Sequence, residues 1–288
     1  MSKKKAMFFN QATSGFDTDS FIYTLETTTV DEIITIPIRN TVNYDVIMDW
    51  GDGSALQTIT GVNQVWSHTY PVAGTHTITI SENTPNGWKG MYAGGSGDIT
   101  KVRDIIQWGT SAVENFKFYG MNGVGTITAT DEPNWSALTT MSNTFRNSTI
   151  RIPNFNLWTP TGITNYQGAF RDADVTGYTF DNWVTASTTN IDLMFLAATG
   201  LDADLSSWVM ENMSNASLFA QNATSSWTSG TTNFSNTLIG WAAQAPNLPI
   251  GIGFGVITGA TYDSSATASK TTLQSAPYLW TWTDGGLV

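Results

Sequence analysis

Alternating apolar and polar residues in the first third of the chain predict short antiparallel strands. Residues 33–38, 44–50 and 75–80 each alternate with a period of two, so that one side of each strand is apolar. The inward-facing residues of these three runs are Ile34, Ile36, Ile38, Tyr44, Val46, Met48, Trp50, His76, Ile78 and Ile80. Glycine-rich or proline-containing stretches at 51–54 and 71–74 supply tight turns between them. Because this pattern gives sheets with one buried and one solvent-exposed face, it predicts a small β-sandwich over residues 20–85.

From about residue 100 onward, aromatic residues recur at a nearly constant interval. Four phenylalanines are spaced by 25, 25 and 24 residues, and a tryptophan precedes each of them by 10 to 12 residues. A fixed period of this length is typical of leucine-rich repeats, in which each unit is a strand plus a turn and neighbouring units bury each other's apolar face. We therefore predict that these aromatic residues, with one earlier tryptophan, form the internal core of a solenoid. This predicted repeat core comprises Trp108, Trp135, Phe145, Trp158, Phe170, Trp183, Phe195, Trp208 and Phe219.

The last part of the chain breaks the repeat and predicts a small α/β unit. Residues 236–243 have the pattern of a short helix, and a second helix starts near residue 262 with Asp263 or Ser264 as its N-cap. Residues 280–286 form a predicted strand and turn. Because a solenoid needs an atypical end unit, we expect this segment to be its cap.

The predicted fold class is thus mainly β, with four parts. They are an N-terminal arm (1–19), an immunoglobulin-like sandwich (20–85), a leucine-rich-repeat-type solenoid (86–235) and a small α/β C-terminal capping unit (236–288).

One ordered set of residues in the predicted sandwich carries a resemblance to a known domain. The motif runs Trp50-Gly51-Asp52-Gly53-Ser54, then His68-Thr69-Tyr70, Gly74 and the alternating strand 77–80. It resembles the PKD (polycystic-kidney-disease) type of immunoglobulin-like domain. The resemblance implies that Trp50, Gly51, Asp52, Gly53, His68 and Tyr70 are the motif positions, and that the module acts as a spacer or adhesion unit.

The sequences of the repeats carry a second resemblance to a known family. Residues 105–109, 138–145 and 204–208 resemble the BspA-like leucine-rich repeat surface proteins, in a version without cysteine. The unit from Trp158 to Phe170 departs most, since it carries Tyr166 where methionine is usual in that family. A PKD-like module followed by such repeats is similar to surface proteins encoded by bacteriophages as well as to bacterial ones.

Net charge and its distribution exclude several partners. The net charge is −11, and Lys270 is the only basic residue between 172 and 288, against nine acidic ones. Nucleic-acid binding and attraction to anionic lipid both require clustered Lys or Arg, so we expect neither. The basic run 3–5 is interpreted as part of a solvated tail. The following apolar stretch stops after four residues, too short for a signal peptide, and no window predicts membrane insertion.

Candidate catalytic groups are scarce in the sequence. There is no cysteine and no Gly-x-Ser-x-Gly motif, and the two histidines, His68 and His76, are interpreted as structural, with His68 bonding the Asp52 turn. We therefore predict a chain that is not an enzyme and that has no catalytic residue, cofactor or metal site.

Two pairs of carboxylates are the candidate metal ligands that the sequence offers. Asp45 and Asp49 share an outward strand face, and Asp202 and Asp204 lie close together in the repeats. Either pair is compatible with weak Ca²⁺ binding, but neither has the residue spacing of a complete Ca²⁺ loop.

These observations favour a non-enzymatic virion surface protein of a bacteriophage, either a capsid decoration or a tail or head fibre. The expected partners are other virion proteins, held through residues 1–19 or the sandwich, and a host surface glycan or protein bound by the repeats. A homo-oligomer is expected because virion fibres commonly have closed symmetry. The alternatives are a bacterial cell-surface adhesin of the BspA-like family and, with less support, a polysaccharide depolymerase.

Overall fold

The structure is a computed structural model that describes residues 18–62, 65–93, 97–121, 126–224, 227 and 230–288. The predicted N-terminal arm therefore lies outside the described residues except for 18 and 19.

The fold of the described part is mainly β. Its strands are β1 (Phe21–Thr27), β2 (Glu32–Thr35), β3 (Tyr44–Asp49), β4 (Gln57–Gly61), β5 (Ser67–Tyr70), β6 (Gly74–Glu82), β7 (Tyr92–Ala93), β8 (Val102–Gln107), β9 (Lys117–Phe118), β10 (Thr126–Ile127), β11 (Gly253–Val256) and β12 (Thr281–Thr283). Its α-helices are α1 (Thr232–Ala242) and α2 (Thr267–Gln274), and short 3₁₀ turns occupy Ile99–Lys101, Trp135–Ala137, Phe155–Leu157 and Ser264–Ala266.

A six-stranded sheet dominates the N-terminal part, in the order β10-β8-β1-β6-β3-β4. All its pairs are antiparallel except β8–β10. A second, two-stranded sheet pairs β2 with β5. The burial predicted from the period-two alternation is confirmed. Nine of the ten predicted inward residues are buried, and Ile38 is partly buried against the same core. The strand that contains Ile34 ends earlier than predicted, at Thr35, since Pro37 has no N–H to continue the ladder.

The main sheet extends past the predicted boundary at residue 85. β8 pairs with β1 along residues 22–25, and β10 adds to β8. One continuous cluster of buried apolar residues runs from Phe21 to Trp280. The first predicted repeat segment thus shares both its sheet and its core with the N-terminal strands.

Four successive coils of the chain stack in register in the middle of the molecule. We number them 1 to 4 by the residues that form a row of parallel bridges: Thr140, Asn165, Asn190 and Asn215. Alternate N–H groups in one coil donate to carbonyls 24 positions further along, in the next coil. Between coils 2 and 3, Tyr166, Gly168, Phe170 and Asp172 donate to Asn190, Asp192, Met194 and Leu196, at 2.8–2.9 Å. The same pattern joins coils 1 to 2 and 3 to 4.

Residues in the left-handed conformation interrupt each coil where the repeat pattern predicts a strand. Two positions per coil have positive φ, and non-glycine residues occupy most of them. The first position holds Asn143, Gly168, Leu193 and Leu218, and the second holds Asn147, Asp172, Ala197 and Asn222. A residue with positive φ cannot continue an extended strand. The four coils therefore carry isolated bridges and tight turns, although their backbones hydrogen-bond like a parallel sheet.

The repeat phenylalanines stack along the axis of the coils. Ring centroids lie 5.5 Å apart from Phe145 to Phe170 and 5.6 Å from Phe170 to Phe195, with nearly parallel planes. The last step, from Phe195 to Phe219, turns edge-on with an interplanar angle of 88°. It is also the only step of 24 residues instead of 25. The bridges and the positive-φ positions keep the 25-residue interval between these two coils, so Phe219 occupies the position of Met194 and not that of Phe195, and the parallel stack ends there.

The C-terminal segment covers the open end of this stack. Phe254 on β11 contacts Phe219 at 5.9 Å and lies parallel to Trp241 of α1 at 5.4 Å.

The first helix of this unit, α1, begins earlier than predicted, at Thr232. Asp263 accepts a hydrogen bond from the N–H of Ser265, as predicted for a cap, although it caps a 3₁₀ turn that leads into α2. No helix in the described ranges is long and apolar enough to cross a membrane.

Tyr166 provides a test of packing inside the coils. Its ring is fully buried, and its hydroxyl has no hydrogen-bond partner among the described residues. Since a buried hydroxyl without a partner costs free energy, Tyr166→Phe is expected to raise the free energy of unfolding by about 1 kcal/mol. The matched control is Tyr178→Phe. The Tyr178 hydroxyl donates to the Ile150 carbonyl at 2.9 Å and accepts from the Ile152 N–H at 3.0 Å.

Urea denaturation followed by far-UV circular dichroism measures both variants. Tyr178→Phe is expected to lower the free energy of unfolding by about 1–2 kcal/mol, because it leaves two backbone groups unsatisfied. Equal effects of the two substitutions would contradict this account of the Tyr166 hydroxyl.

Candidate functional site

The predicted PKD-like motif residues meet in one cluster among the N-terminal strands. His68 Nε2 lies 2.7 Å from Asp52 Oδ2, as the sequence predicted, and its ring stacks on Trp50 at 4.9 Å. The Tyr70 hydroxyl donates to the Trp50 carbonyl at 3.0 Å. Gly51 and Gly53 have φ values of 75° and 81°, which allow the chain to turn back between them. Trp50 Nε1 donates to Gln57 Oε1 and the Ser54 N–H donates to Asp52 Oδ1, both at 3.0 Å, so the contacts of this cluster fix the turn.

His76 is engaged in the same way. It is buried, its Nε2 lies 3.0 Å from Thr27 Oγ1, and its ring packs on Tyr70 at 4.0 Å. Both histidines of the chain therefore have structural partners.

The Asp52–His68 contact affects the ionisation of the carboxyl group. Burial by itself raises the pKa of Asp52, but hydrogen bonds from His68 and from Ser54 outweigh it and hold that pKa well below the usual range. A carboxylate with a lowered pKa in the folded state stabilises the fold at pH values above its unfolded pKa, about 3.9. That contribution is lost as the pH falls from there towards the folded pKa.

We expect Asp52→Asn to flatten the acid limb of the stability profile. The variant is less stable than wild type at pH 7, and the difference shrinks as the pH is lowered below about 4, because the wild-type carboxyl group becomes protonated there in the unfolded state while it is still ionised in the folded state. The melting temperature measured from pH 7 to pH 2 tests this. Asp31→Asn is the control, since Asp31 is exposed, has positive φ and lies in the same part of the chain. A wild-type minus Asp52→Asn difference that stays constant with pH would refute the assignment.

The carboxylates weighed from the sequence are held by protein groups. Asp45 accepts from Asn83 Nδ2 at 2.8 Å and from Thr84 Oγ1 at 2.7 Å. Asp49 accepts from the Gly51 N–H at 2.9 Å. Within the described ranges, no group of three or more His, Cys, Asp or Glu residues is arranged to hold a metal ion.

Asp202 and Asp204 are likewise bound to the C-terminal unit. Asn233 Nδ2 donates to the Asp202 carbonyl at 2.9 Å and Asn236 Nδ2 to Asp204 Oδ2 at 2.9 Å, so both acids anchor α1 to coil 4. Burial, and secondarily the negative charge of Asp204, raise the pKa of Asp181 on the preceding coil.

All nine predicted repeat-core aromatic residues are buried in the structure. The Trp residues do not stack on one another in the later coils, because Phe155 and Phe180 lie between them. Phe180, for example, lies 5.1 Å from Trp183 and 6.2 Å from Trp208. Phe155 and Phe180 are absent from the predicted repeat core. The 25-residue interval between them is the signal in the sequence that identifies these two rings. Because the tryptophans at these positions are buried, they do not form part of the outer surface of the coils.

The outward surface of the coils presents three columns of polar side chains, which we call the polar face. The hydroxyl column is Thr139, Thr164, Thr189 and Ser214; the amide column is Thr140, Asn165, Asn190 and Asn215; the third column is Ser142, Gln167, Asp192 and Ser217. All twelve residues are exposed or partly exposed, and buried residues flank them on each coil. The only charged member is Asp192, whose Oδ2 accepts from Gln167 Nε2 at 3.1 Å.

Charged residues of the coils lie instead beyond the turn that follows the polar face. Arg171 lies 3.2 Å from Asp172, and Arg151 lies 2.7 Å from Asp174. These ion pairs link neighbouring coils or turns at an exposed edge, where each contributes little to stability. The polar face is thus nearly neutral on a chain whose net charge is −11.

Comparison with known proteins gives one match. Residues 117–234, fewer than half of the chain, match the family described as Mycoplasma protein of unknown function, DUF285. Among curated proteins and among solved structures, nothing matches this chain. The matched segment contains all four coils, so it is over its repeats that the chain is similar to this family of mycoplasma proteins of unknown function.

Proposed function

We propose that this chain is a non-enzymatic virion surface protein of a bacteriophage, a capsid decoration or a tail or head fibre, that presents its repeats for adhesion. In this reading, the N-terminal strands form a PKD-like sandwich and the coils form a BspA-like leucine-rich-repeat solenoid. The C-terminal unit is the cap of that solenoid. Residues 1–19 or the sandwich attach to other virion proteins, and the protein assembles as a homo-oligomer.

The observation that carries the proposal is the division between the inside and the outside of the coils. The aromatic residues fill the interior, while the polar face offers hydroxyl and amide groups over four successive coils. A regular array of uncharged polar groups suits many weak contacts to a surface, which become strong when several copies bind together. The PKD-like motif and the module order resemble phage-encoded surface proteins, and they support the assignment to a virion.

A bacterial cell-surface adhesin is the second candidate. The match of residues 117–234 to a family described from Mycoplasma favours it, because that description refers to a cellular organism. The binding chemistry is the same in both cases, and only the location differs.

Mass spectrometry of purified phage particles and of host membrane fractions, with immunogold labelling, distinguishes the two locations. We expect the protein at stoichiometric level in particles, with the label showing capsid or tail. Absence from particles and recovery on cells would overturn the virion assignment in favour of the adhesin.

A polysaccharide depolymerase is the candidate to exclude, since burial and the negative charge of Asp204 raise the pKa of Asp181, and a glycosidase needs two carboxyl groups. Incubation of the protein with host capsular polysaccharide is expected to release no oligosaccharide. Release that disappears in Asp181→Asn would show that the protein is an enzyme.

A further inference from the structure

The side chains of the amide column are fixed by their own backbone. In coils 2, 3 and 4, Oδ1 of Asn165, Asn190 and Asn215 accepts the N–H two residues further on, at 2.9, 2.9 and 3.1 Å. Because a backbone N–H donates only to an oxygen, these bonds also decide which end of each amide is nitrogen. Among the described residues, no acceptor contacts Nδ2 of these three asparagines. Each of the three coils therefore presents an oriented –NH₂ donor to solvent.

The neighbouring hydroxyl column is fixed in the opposite sense. The hydroxyls of Thr164, Thr189 and Ser214 donate to the carbonyls of Thr139, Thr164 and Thr189 in the preceding coil, at 3.1, 3.2 and 2.9 Å. A hydroxyl has one hydrogen to donate and two lone pairs to accept with. With the hydrogen already used, these oxygens offer acceptors to solvent.

The two columns together form a preorganised lattice of donors beside acceptors. The coils are paired like parallel strands, so each column repeats at the strand spacing of about 4.8 Å. The hydrogen bonds just described hold the side chains in place, which lowers the entropy lost when a ligand binds.

The composition of the polar face selects the class of ligand. Protein partners are usually anchored by aromatic or aliphatic side chains, and none of the twelve residues of the face is apolar. Anionic polymers require Lys or Arg, and none is in these columns. A polymer of hydroxyl groups, which donate and accept at regular intervals, is the complementary partner.

We infer that the polar face binds a neutral glycan, with Nδ2 of Asn165, Asn190 and Asn215 donating to its oxygens and the hydroxyl column accepting from its hydroxyl groups. This inference deepens the proposed adhesive role and rests on it, since it names the surface and the ligand of that role.

The test is binding of the purified full-length chain to an array of immobilised polysaccharides: dextran, mannan, galactan, β-glucan and chitin, with hyaluronan and alginate as anionic comparators. Binding to at least one neutral glycan, and weaker binding to both anionic ones, is expected. The triple variant N165D/N190D/N215D keeps Oδ1 for the backbone bond and replaces each donor with an acceptor. It is expected to bind the preferred glycan about 30-fold more weakly or worse, since three hydrogen bonds are lost.

The matched control, N147D/T199D/N222D, adds the same charge beyond the turn, in columns where Asp172 and Asp174 already occur. It is expected to bind like wild type. A neutral variant, N165T/N190T/N215T, covers the case in which three aspartates in a row prevent folding. Thr140 already holds this column and accepts from the Ser142 N–H at 3.2 Å, so the fold tolerates threonine there. This variant is also expected to lose affinity.

Three outcomes would overturn the inference: no binding to any neutral glycan, unchanged binding by the two amide-column variants, or equal loss in the control. Because the array uses purified protein, these outcomes do not depend on where the protein is found. Absence from phage particles would overturn the virion assignment and leave the glycan result intact.

Discussion

Trp208→Ala is expected to lower the free energy of unfolding by about 4 kcal/mol. The Trp208 side chain is 0% exposed, and it lies between Phe180 and Phe219 at 6.2 and 6.4 Å. Its Nε1 donates to the Phe180 carbonyl at 3.2 Å. Truncation removes the transfer free energy of a large side chain, opens a cavity beneath coil 4 and removes one of the two hydrogen bonds to that carbonyl, which keeps the bond from the Trp183 N–H.

Trp208 also lies where coil 4 meets the C-terminal unit. Its carbonyl accepts from Gln244 Nε2 at 2.8 Å, which joins coil 4 to the C-terminal unit. Because a small domain is stable by only about 5–15 kcal/mol, the variant is expected to lose the end of the stack at lower denaturant than the rest.

Urea denaturation followed by far-UV circular dichroism measures this loss. The control is Leu157→Ala, at a residue of the same repeats that is 67% exposed, for which a change within about 0.5 kcal/mol is expected. A change below about 1 kcal/mol in Trp208→Ala would show that the stack does not depend on its tryptophans.

Gly51→Ala is expected to destabilise the N-terminal strands by about 4 kcal/mol. Gly51 has φ of 75°, and a Cβ added there would lie 2.2 Å from the carbonyl oxygen of Thr77 and 2.8 Å from its nitrogen. Both atoms belong to the backbone of β6, in the middle of the main sheet. The sheet must therefore shift to accept a single methyl group.

Gly53→Ala separates the steric contribution from the conformational one. Gly53 has φ of 81°, so alanine pays a similar backbone penalty of about 1–2 kcal/mol, but nothing lies within 4 Å of the added Cβ. We expect the two variants to differ by about 2 kcal/mol or more. Urea denaturation gives the energies, and amide hydrogen exchange in β6 locates the change. Equal energies would mean that Thr77 moves away at no cost.

Much of the core was predictable because it follows from side-chain periodicity. The strands containing Tyr44 and Ile78 show a period of two, and burial follows that period because one face of each strand packs on the core. The Phe145 to Phe219 interval predicted stacked coils for a similar reason, since identical positions in successive units meet. The hydrogen bond from His68 to the Asp52 turn was predicted because both residues belong to one recognisable motif.

The candidate site was less predictable. The sequence shows that Asn165 and Asn190 are 25 residues apart, but it does not show that their Oδ1 atoms are used and their Nδ2 atoms free. The pairing of Asp181 with Asp204 depends on the offset between adjacent coils, which periodicity does not specify. Likewise, β8 joins β1 through contacts between residues about 80 positions apart.

The sequence by itself determined the mainly β class of the fold, the interval of the repeat and the burial of the nine aromatic residues of the predicted repeat core. Each of these depends on which residues are apolar and how far apart they lie. Only the tertiary structure decided that the sheet crosses residue 85 and that positive φ at positions such as Leu193 breaks the strand in each coil. Leucine has no intrinsic preference for that conformation, which is held by the hydrogen bonds to the coils above and below. The orientation of the hydroxyl column is decided in the same way, because its hydroxyls donate to carbonyls of the preceding coil, whereas the amide column is held by its own backbone.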